Sequence, residues 1–274
     1  MNKYEVEVFN NNLELTQKWN IQGKWNDAQI LLSGLHAVAK YIDIDTQATV
    51  WMQIAHVLSD EALFGGIDNQ EKRWEALEKA QNLSEASANK VLIADVYDAI
   101  GFSLHVDFLN SDRSKEPEEE INYFERGLEL RKEHGTPGQV AESTFHVGLV
   151  YDVIRKEYDK ALPYHEEAYK IATNEKDKLT ASYAIRHIGF ARFNADDVES
   201  AKQAFIESLE LRRAIGFIPG IAFSLVTLAQ VDVEGGDKAS ALAHLKEARN
   251  LLATLGAIPR VTWLDEQIAG IAEN

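Results

Sequence analysis

The chain has 274 residues, a formal net charge of −16, 45% hydrophobic residues and no cysteine. The charge disfavours nucleic acid and anionic membranes as partners, and the lack of cysteine excludes disulfides, thiolate metal sites and a catalytic thiol. No stretch reaches the ~18–20 apolar residues of a transmembrane helix, and the N-terminus lacks the pattern of a signal peptide. We therefore expect a cytoplasmic protein with a packed core. The acidity indicates either a solubility requirement or a preference for basic ligands.

The first half of the chain predicts three helical hairpins that have diverged from one another. In each, an apolar residue followed by a small one on the first helix pairs with two residues on the second helix. These sets are Leu15-Thr16 with Leu32 and Leu35, Ile54-Ala55 with Leu77 and Ala80, and Ile100-Gly101 with Phe124 and Gly127.

The second half predicts three closely similar hairpins about 40 residues apart. Their first helices carry Val147-Gly148, Ile188-Gly189 and Leu228-Ala229. Their second helices place small, large and small side chains at positions i, i+4 and i+7, which share one helix face. These triplets are Ala161, His165 and Ala168; Ala201, Phe205 and Ser208; and Ala241, Leu245 and Ala248.

Glycine followed by proline marks the end of several hairpins, as at Gly135, Gly216 and Gly256. A last amphipathic helix is predicted over 260–272, with Val261, Leu264, Ile268 and Ile271 on one face. The sequence thus predicts an all-α protein with two parts. Residues 1–256 form a helical repeat array of six hairpins, and residues 257–274 form a C-terminal capping helix.

These residues resemble the tetratricopeptide repeat family, in the apolar–small pair of the first helix and the small, large and small residues of the second. The resemblance covers nearly the whole chain and is strongest over 140–255. The period near 40 departs from the family's usual 34 and is similar to that of bacterial sensor and regulator repeats. The resemblance implies a right-handed superhelical solenoid whose concave groove binds a protein or peptide.

The second and third hairpins contain additional residues, in the segments 59–66 and 105–112. Each segment either continues the first helix of its hairpin or forms a longer surface loop. In the helical alternative, Gly65-Gly66 and 110–112 end the helices, and Asp68 with Glu71 forms a capping box for the returning helix.

The family resemblance places candidate ligand contacts on the first helices of hairpins two to five. The candidates combine charged or polar groups with aromatic rings, which suits peptide binding, although the same pattern is typical of a solvated helix face. They are His56, Asp95, Asp98, Phe102, His105, Phe145, Asp152, Arg186, Phe190 and Asn194.

Two groups of basic side chains each allow two interpretations of their role. Arg186 either holds a ligand carboxylate or pairs with Asp152. His146 and His187 occupy equivalent positions in successive repeats, which favours a recurrent hydrogen-bonding role over metal binding.

No catalytic motif is recognisable, so we predict neither catalytic residues nor a metal or other cofactor. The function predicted is a non-catalytic scaffold or adaptor that recognises a peptide or protein. The alternatives are a peptide-responsive regulatory sensor and an enzyme that uses the helical cavity. Self-association into a homo-oligomer also stays open.

Overall fold

The structure is a computed structural model that describes residues 2–113 and 118–273. The described residues form thirteen α-helices and no β-strand, which confirms the all-α prediction of six hairpins and a final helix. None of these helices combines the length and the apolar character needed to cross a bilayer. The helices are α1 Lys3–Ile21, α2 Trp25–Ala39, α3 Ile44–Asp60, α4 Gln70–Ser87, α5 Lys90–Asn110, α6 Glu118–His134, α7 Pro137–Leu149, α8 Tyr158–Glu175, α9 Lys178–Asn194, α10 Val198–Ile215, α11 Ile218–Glu234, α12 Lys238–Thr254 and α13 Ile258–Glu273.

The chain divides into two compact units. The first unit comprises residues 1–63 and 68–139 and contains α1 to α6. The second unit comprises residues 64–67 and 140–274 and contains most of α7 together with α8 to α13.

In three of the hairpins, the small residue of the first helix approaches the large residue of the second helix closely. A methyl group added to the glycine in three of the hairpins would lie 2.6–2.7 Å from a ring carbon of the facing side chain. These distances are too short for a real contact, so the helices meet closely because the small residue is glycine. The three pairs are Gly101–Phe124, Gly148–His165 and Gly189–Phe205.

The additional residues of the second and third hairpins are helical, as one of the two alternatives predicted. The α3 helix continues through a π-helical turn, Glu61–Gly65, and α5 extends to Asn110. The predicted capping box at Asp68 is wrong. Asn69 caps α4 instead, because its side chain accepts a hydrogen bond from the Lys72 backbone N–H, whereas Asp68 pairs with Arg73 at 3.3 Å.

The glycines after α10 and α12 adopt the left-handed conformation that favours glycine, with φ of +68° at Gly216 and +69° at Gly256. Gly135 does not adopt a positive φ, so the predicted left-handed glycine is absent there. The chain therefore ends α6 differently from α10, although proline follows in both places.

The last helix contributes to the core of the second unit. Val261 and Leu264 belong to the same apolar cluster as Leu228, Leu245 and Leu252, and Ile268 and Ile271 pack against that cluster. The predicted apolar face of 260–272 is therefore buried against its neighbours. Its role as the cap of a separate array stays a prediction.

We predict that Gly189→Ala lowers the free energy of unfolding by about 1–3 kcal/mol, because the added methyl would overlap the buried ring of Phe205. Denaturant unfolding followed by circular dichroism measures the effect. Gly34→Ala is the control, since apart from its chain neighbours and the backbone of its own helix nothing lies within 4 Å of the added methyl. That change should stabilise by about 0.5–1 kcal/mol through helix propensity. Equal effects of the two substitutions would contradict the close approach.

We also predict that Leu264→Ala destabilises the second unit by about 2–5 kcal/mol, because it removes a fully buried side chain from the apolar cluster. The neighbouring Trp263 is 39% exposed, and Trp263→Ala should cost less than half as much. The comparison of the two unfolding midpoints checks the prediction. A larger loss from Trp263→Ala would show that the other face of α13 carries the packing.

Candidate ligand-binding site

The ten predicted contact residues divide between the two units. His56, Asp95, Asp98, Phe102 and His105 lie in the first unit, and Phe145, Asp152, Arg186, Phe190 and Asn194 lie in the second. Their burial differs as well, since Asp98, His105, Phe145 and Asp152 are buried, Asn194 is exposed, and the other five are half-buried.

In the first unit, the two aspartates of α5 bind an arginine of α6. Arg131 donates from Nη2 to Asp95 Oδ1 at 2.8 Å, and its Nη1 contacts Asp98. The same Nη1 lies 3.2 Å from the Gln139 backbone oxygen. Asp98 is only 3% exposed. Both candidate carboxylates are thus already engaged by one arginine of their own unit.

The histidine of α5 is also engaged internally. His105 Nδ1 lies 2.9 Å from Glu120 Oε1, and both side chains are buried. His56 and Phe102 keep part of their surface exposed. Their role as ligand contacts stays a prediction.

Asp60 of the first unit has a pKa raised to about 7 because burial penalises its charged form. A hydrogen bond donated by Asn20 Nδ2 at 2.6 Å opposes this shift only in part. The proximity of this pKa to neutrality makes Asp60 a titrating group at physiological pH.

In the second unit, Arg186 lies on α9 with its guanidinium 4.5 Å from the centre of the Phe190 ring. Its Nη2 donates to Thr227 Oγ1 of α11 at 3.0 Å, and its Nε is buried without a hydrogen-bond partner. Among the described residues, no carboxylate forms an ion pair with Arg186. Arg186 and Asp152 thus form no direct ion pair; Asp152 contacts two histidines and acts on Arg186 through its charge at longer range.

Burial lowers the pKa of Arg186 to about 9, and the nearby Arg212 adds to the shift while Asp152 opposes it. Arg212 is 2% exposed, and burial lowers its pKa to about 10. Its Nη1 donates to Gly220 O at 2.8 Å and to Ser224 Oγ at 2.9 Å. Within the described chain Arg212 also has no carboxylate partner, so two neighbouring cations favour an added anion.

Aromatic rings lie beside these cations. Phe145 stacks on Tyr183 with ring centres 5.6 Å apart, and Tyr183 meets the edge of Phe217 at 5.7 Å. The segment Phe64–Ile67 brings Phe64 into contact with Phe217 at 5.4 Å and with Phe223 at 5.3 Å. Because Arg212 also lies over the Tyr183 ring at 5.1 Å, the cations and the aromatic side chains form one contact network. Phe64, Phe145, Phe217 and Arg212 are buried within it.

Asp152 forms a buried cluster with two histidines. Its Oδ2 lies 2.6 Å from His187 Nδ1 and 3.3 Å from His165 Nε2. Burial alone would raise the pKa of Asp152, but the two imidazoles outweigh it and hold the pKa below its usual range. Burial lowers the pKa of His187 to about 4 despite the neighbouring carboxylate.

The repeat pattern held a signal for the polar residues that the sequence reasoning missed. The second helices share one further repeat position, i+11 in the numbering in which the triplets occupy i, i+4 and i+7. It is Ser84 in α4, Arg131 in α6, Ala172 in α8, Arg212 in α10 and Leu252 in α12. All five side chains are buried. An arginine at a buried position that holds small or apolar residues in the other hairpins requires buried hydrogen-bonding partners. For Arg131 and Arg212, these partners are the groups described above.

The same repeat numbering identifies the second histidine that contacts Asp152 together with His187. His165 occupies the position of the large residue in α8, whereas His146 is adjacent to Phe145 with ring centres 5.6 Å apart. His146 and His187 are therefore equivalent within the repeat, but the histidine that lies beside His187 in space is His165 of the second helix, α8.

No model of a known protein family matches the chain, and no curated protein matches it either. Solved structures do. The chain is similar to a Rap protein complexed with Competence and Sporulation Factor, with a TM-score of 0.68 and 16% identity over 93% of this chain and 66% of that one. It is also similar to NprR in complex with its cognate peptide NprX, with a TM-score of 0.63 and 13% identity over 100% of this chain and 78% of that one.

A third similar structure is the STAND signal transduction ATPase with a tetratricopeptide repeat sensor from Pyrococcus horikoshii. The TM-score is 0.58 and the identity 16%, over 96% of this chain and 41% of that protein, so this chain spans less than half its length. The structural neighbours are tetratricopeptide-type helical repeat proteins, and the chain has their fold, as the sequence resemblance implied.

We predict that the first unit loses stability as the pH rises because of Asp60. The folded-state pKa near 7 exceeds the unfolded value of 3.8, so the contribution of this group is fully present below about pH 4 and is lost as the pH rises through 7. Asp60→Asn should therefore gain about 1–3 kcal/mol relative to the natural chain between pH 5 and pH 8. Urea unfolding at both pH values measures this, with the exposed Asp27→Asn as control. An identical pH profile in Asp60→Asn would contradict the assignment.

Proposed function

We propose that the protein is a non-catalytic binding scaffold that recognises a peptide or protein segment through a carboxylate held by Arg186. The observation that carries the proposal is the half-buried guanidinium of Arg186, which has a buried Nε without a partner and no carboxylate partner among the described residues. A cation held in this way costs stability unless an anion joins it. A ligand carboxylate supplies that anion.

The geometry of the guanidinium suits a carboxylate. Stacking on Phe190 fixes its plane, and the hydrogen bond to Thr227 engages one Nη2 proton. A planar fork of N–H donors binds the two oxygens of a carboxylate in parallel. A free peptide C-terminus or an aspartate or glutamate side chain would both provide this group.

The surroundings of Arg186 on α9 suit the rest of a peptide. Tyr183, Arg186, Phe190 and Asn194 follow at i, i+3, i+7 and i+11, so they lie along one face of the helix. The half-buried rings offer apolar contact, and the exposed Asn194 amide offers hydrogen bonds to a peptide backbone. The net charge of −16 favours a peptide that is basic apart from this carboxylate.

The structural neighbours support a peptide ligand. NprR was solved with its cognate peptide, and the Rap protein was solved with Competence and Sporulation Factor. The same surface would serve an adaptor, which holds a partner in place, or a regulatory sensor, which changes state when the peptide binds. These two functions differ in the consequence of binding and share the chemistry of recognition.

A library of immobilised random heptapeptides tests the proposal. Each peptide is prepared with a free C-terminal carboxylate and, in parallel, as the C-terminal amide. We expect a subset of peptides to bind the natural chain, and amidation or loss of an internal acidic residue to weaken that subset at least tenfold. Binding should also weaken as salt rises, because exposed charge attraction is screened over ~8–10 Å at physiological ionic strength.

Arg186→Ala should abolish the carboxylate preference, and Arg186→Lys should restore it only partly because lysine lacks the planar fork. Arg213→Ala is the matched control, since this exposed arginine of the second unit is already paired with Glu247 at 2.8 Å. Unchanged binding in Arg186→Ala, with the helical content intact by circular dichroism, would place the binding surface elsewhere.

A further inference from the structure

The second unit contains a cluster of two imidazoles and one carboxylate that the proposed function does not use. Asp152, His165 and His187 are all buried, and one ligand-type atom from each lies within 4.8 Å of the others. Asp152 Oδ2 is the common point, at 2.6 Å from His187 Nδ1 and 3.3 Å from His165 Nε2. We propose that these three side chains bind a divalent transition metal ion of the Zn²⁺ class.

The donor set determines the class of ion. Two imidazole nitrogens with one carboxylate oxygen suit zinc and its neighbours in the first transition row, whereas Mg²⁺ and Ca²⁺ prefer oxygen ligands alone. Three protein ligands leave a fourth position for water or for a ligand group. The site is therefore of the open kind rather than a closed structural site of four ligands.

His165 provides an independent indication. Its side chain is fully buried, and neither of its ring nitrogens has a hydrogen-bond partner. Nε2 lies 3.3 Å from Asp152 Oδ2 but lacks the geometry of a hydrogen bond. A buried imidazole nitrogen without a well-formed hydrogen bond costs free energy, and a metal ion between Nε2 and the carboxylate would satisfy that nitrogen.

Three different elements bring the ligands together. Asp152 lies in a π-helical turn, Val150–Ile154, which follows α7 directly, while His165 comes from α8 and His187 from α9. Gly148 leaves the space that the His165 ring occupies, because a methyl group there would lie 2.7 Å from the ring. π-Helical turns are rare and occur frequently at functional sites.

The spacing fits a metal after a small adjustment. With bonds of about 2.0–2.2 Å, two ligand atoms of a tetrahedral zinc site lie about 3.4 Å apart. The separation of 3.3 Å between His165 and Asp152 already matches, and the 2.6 Å between His187 and Asp152 must widen by less than 1 Å. Asp152 and His187 are each 7% exposed, whereas His165 is fully buried.

Aromatic rings and one cation surround the cluster. The Phe145 ring lies 5.5 Å from His165 and 5.3 Å from His187, and Phe190 lies 5.7 Å from His187. The charge of Arg186 acts on both Asp152 and His187 and opposes the binding of a cation there. The aromatic walls limit water access and strengthen the attraction between the ion and the carboxylate. Phe190 thus lies next to both His187 of the metal site and Arg186 of the proposed peptide site, although neither site requires the other.

Cobalt serves as the spectroscopic probe. The purified full chain, treated with chelator, is titrated with Co²⁺ while the visible absorption is recorded. We expect one equivalent to produce the intense ligand-field bands of four- or five-coordinate Co²⁺, and Zn²⁺ to abolish them by displacement. Zn²⁺ should also raise the unfolding temperature. Failure of the bands to develop in the natural chain would overturn the proposal.

Variants locate the site. His165→Gln and Asp152→Asn should weaken Co²⁺ binding at least tenfold. His244→Gln is the matched control, because His244 pairs with Asp232 at 2.9 Å in the same unit but has no second imidazole in its cluster. This variant should bind as the natural chain does. Full binding in His165→Gln, or loss of binding in His244→Gln, would overturn the assignment.

Nuclear magnetic resonance of the imidazole nitrogens decides the case in which the variants fail to fold. In the natural chain, Zn²⁺ should shift the resonances of His165 and His187 and leave those of His244 unchanged. Shifts confined to other histidines would contradict the site. Peptide binding in the metal-free chain is measured separately, so failure of this proposal leaves the peptide scaffold standing.

Discussion

The close approach of a small residue on one helix to a large side chain on the next is the constraint on which this structure depends. The sizes are complementary throughout the repeats. Glycine faces the rings of Phe124, His165 and Phe205, whereas alanine takes the same position where the second helix carries Leu77 or Leu245. Dense packing transmits a change of volume at one such contact to both helices. The same pair of positions therefore sets both the spacing of the hairpin and the chemistry that can lie between its helices.

The candidate sites form where polar side chains occupy these buried repeat positions. His165 fills a position that holds phenylalanine or leucine in other hairpins, and Arg212 fills one that holds alanine or leucine in its neighbours. Each substitution exchanges apolar packing for a group that needs partners. In α6 the requirement is met by Asp95 and Asp98, whereas the guanidinium groups of the second unit lack a carboxylate among the described residues. The candidate sites are thus concentrated where the repeat departs from its own pattern.

The sequence predicted the helices well because their signal is local and is repeated. Spacing of small and large residues within one helix, and of hairpins along the chain, is independent of any tertiary detail. The partners of Asp98 and Asp152 were not predictable in the same way. Arg131 is 33 residues from Asp98, and His187 is 35 residues from Asp152. The first contact exists only after α5 has packed on α6, and the second only after two neighbouring hairpins have packed. The spacing of residues along a helix predicts which of its faces is buried. It does not predict which polar side chain of another helix contacts that face.

The π-helical turn after α7 has a consequence for the register of the chain. Such a turn accommodates one more residue than an α-helical turn, and each residue advances an α-helix by about 100°. Deletion of Val150 or Tyr151 would let the segment close as an ordinary α-helix. Asp152 would then rotate by about 100° around the helix axis, away from His187. The loss of one residue from this turn is therefore sufficient to remove the carboxylate from the cluster.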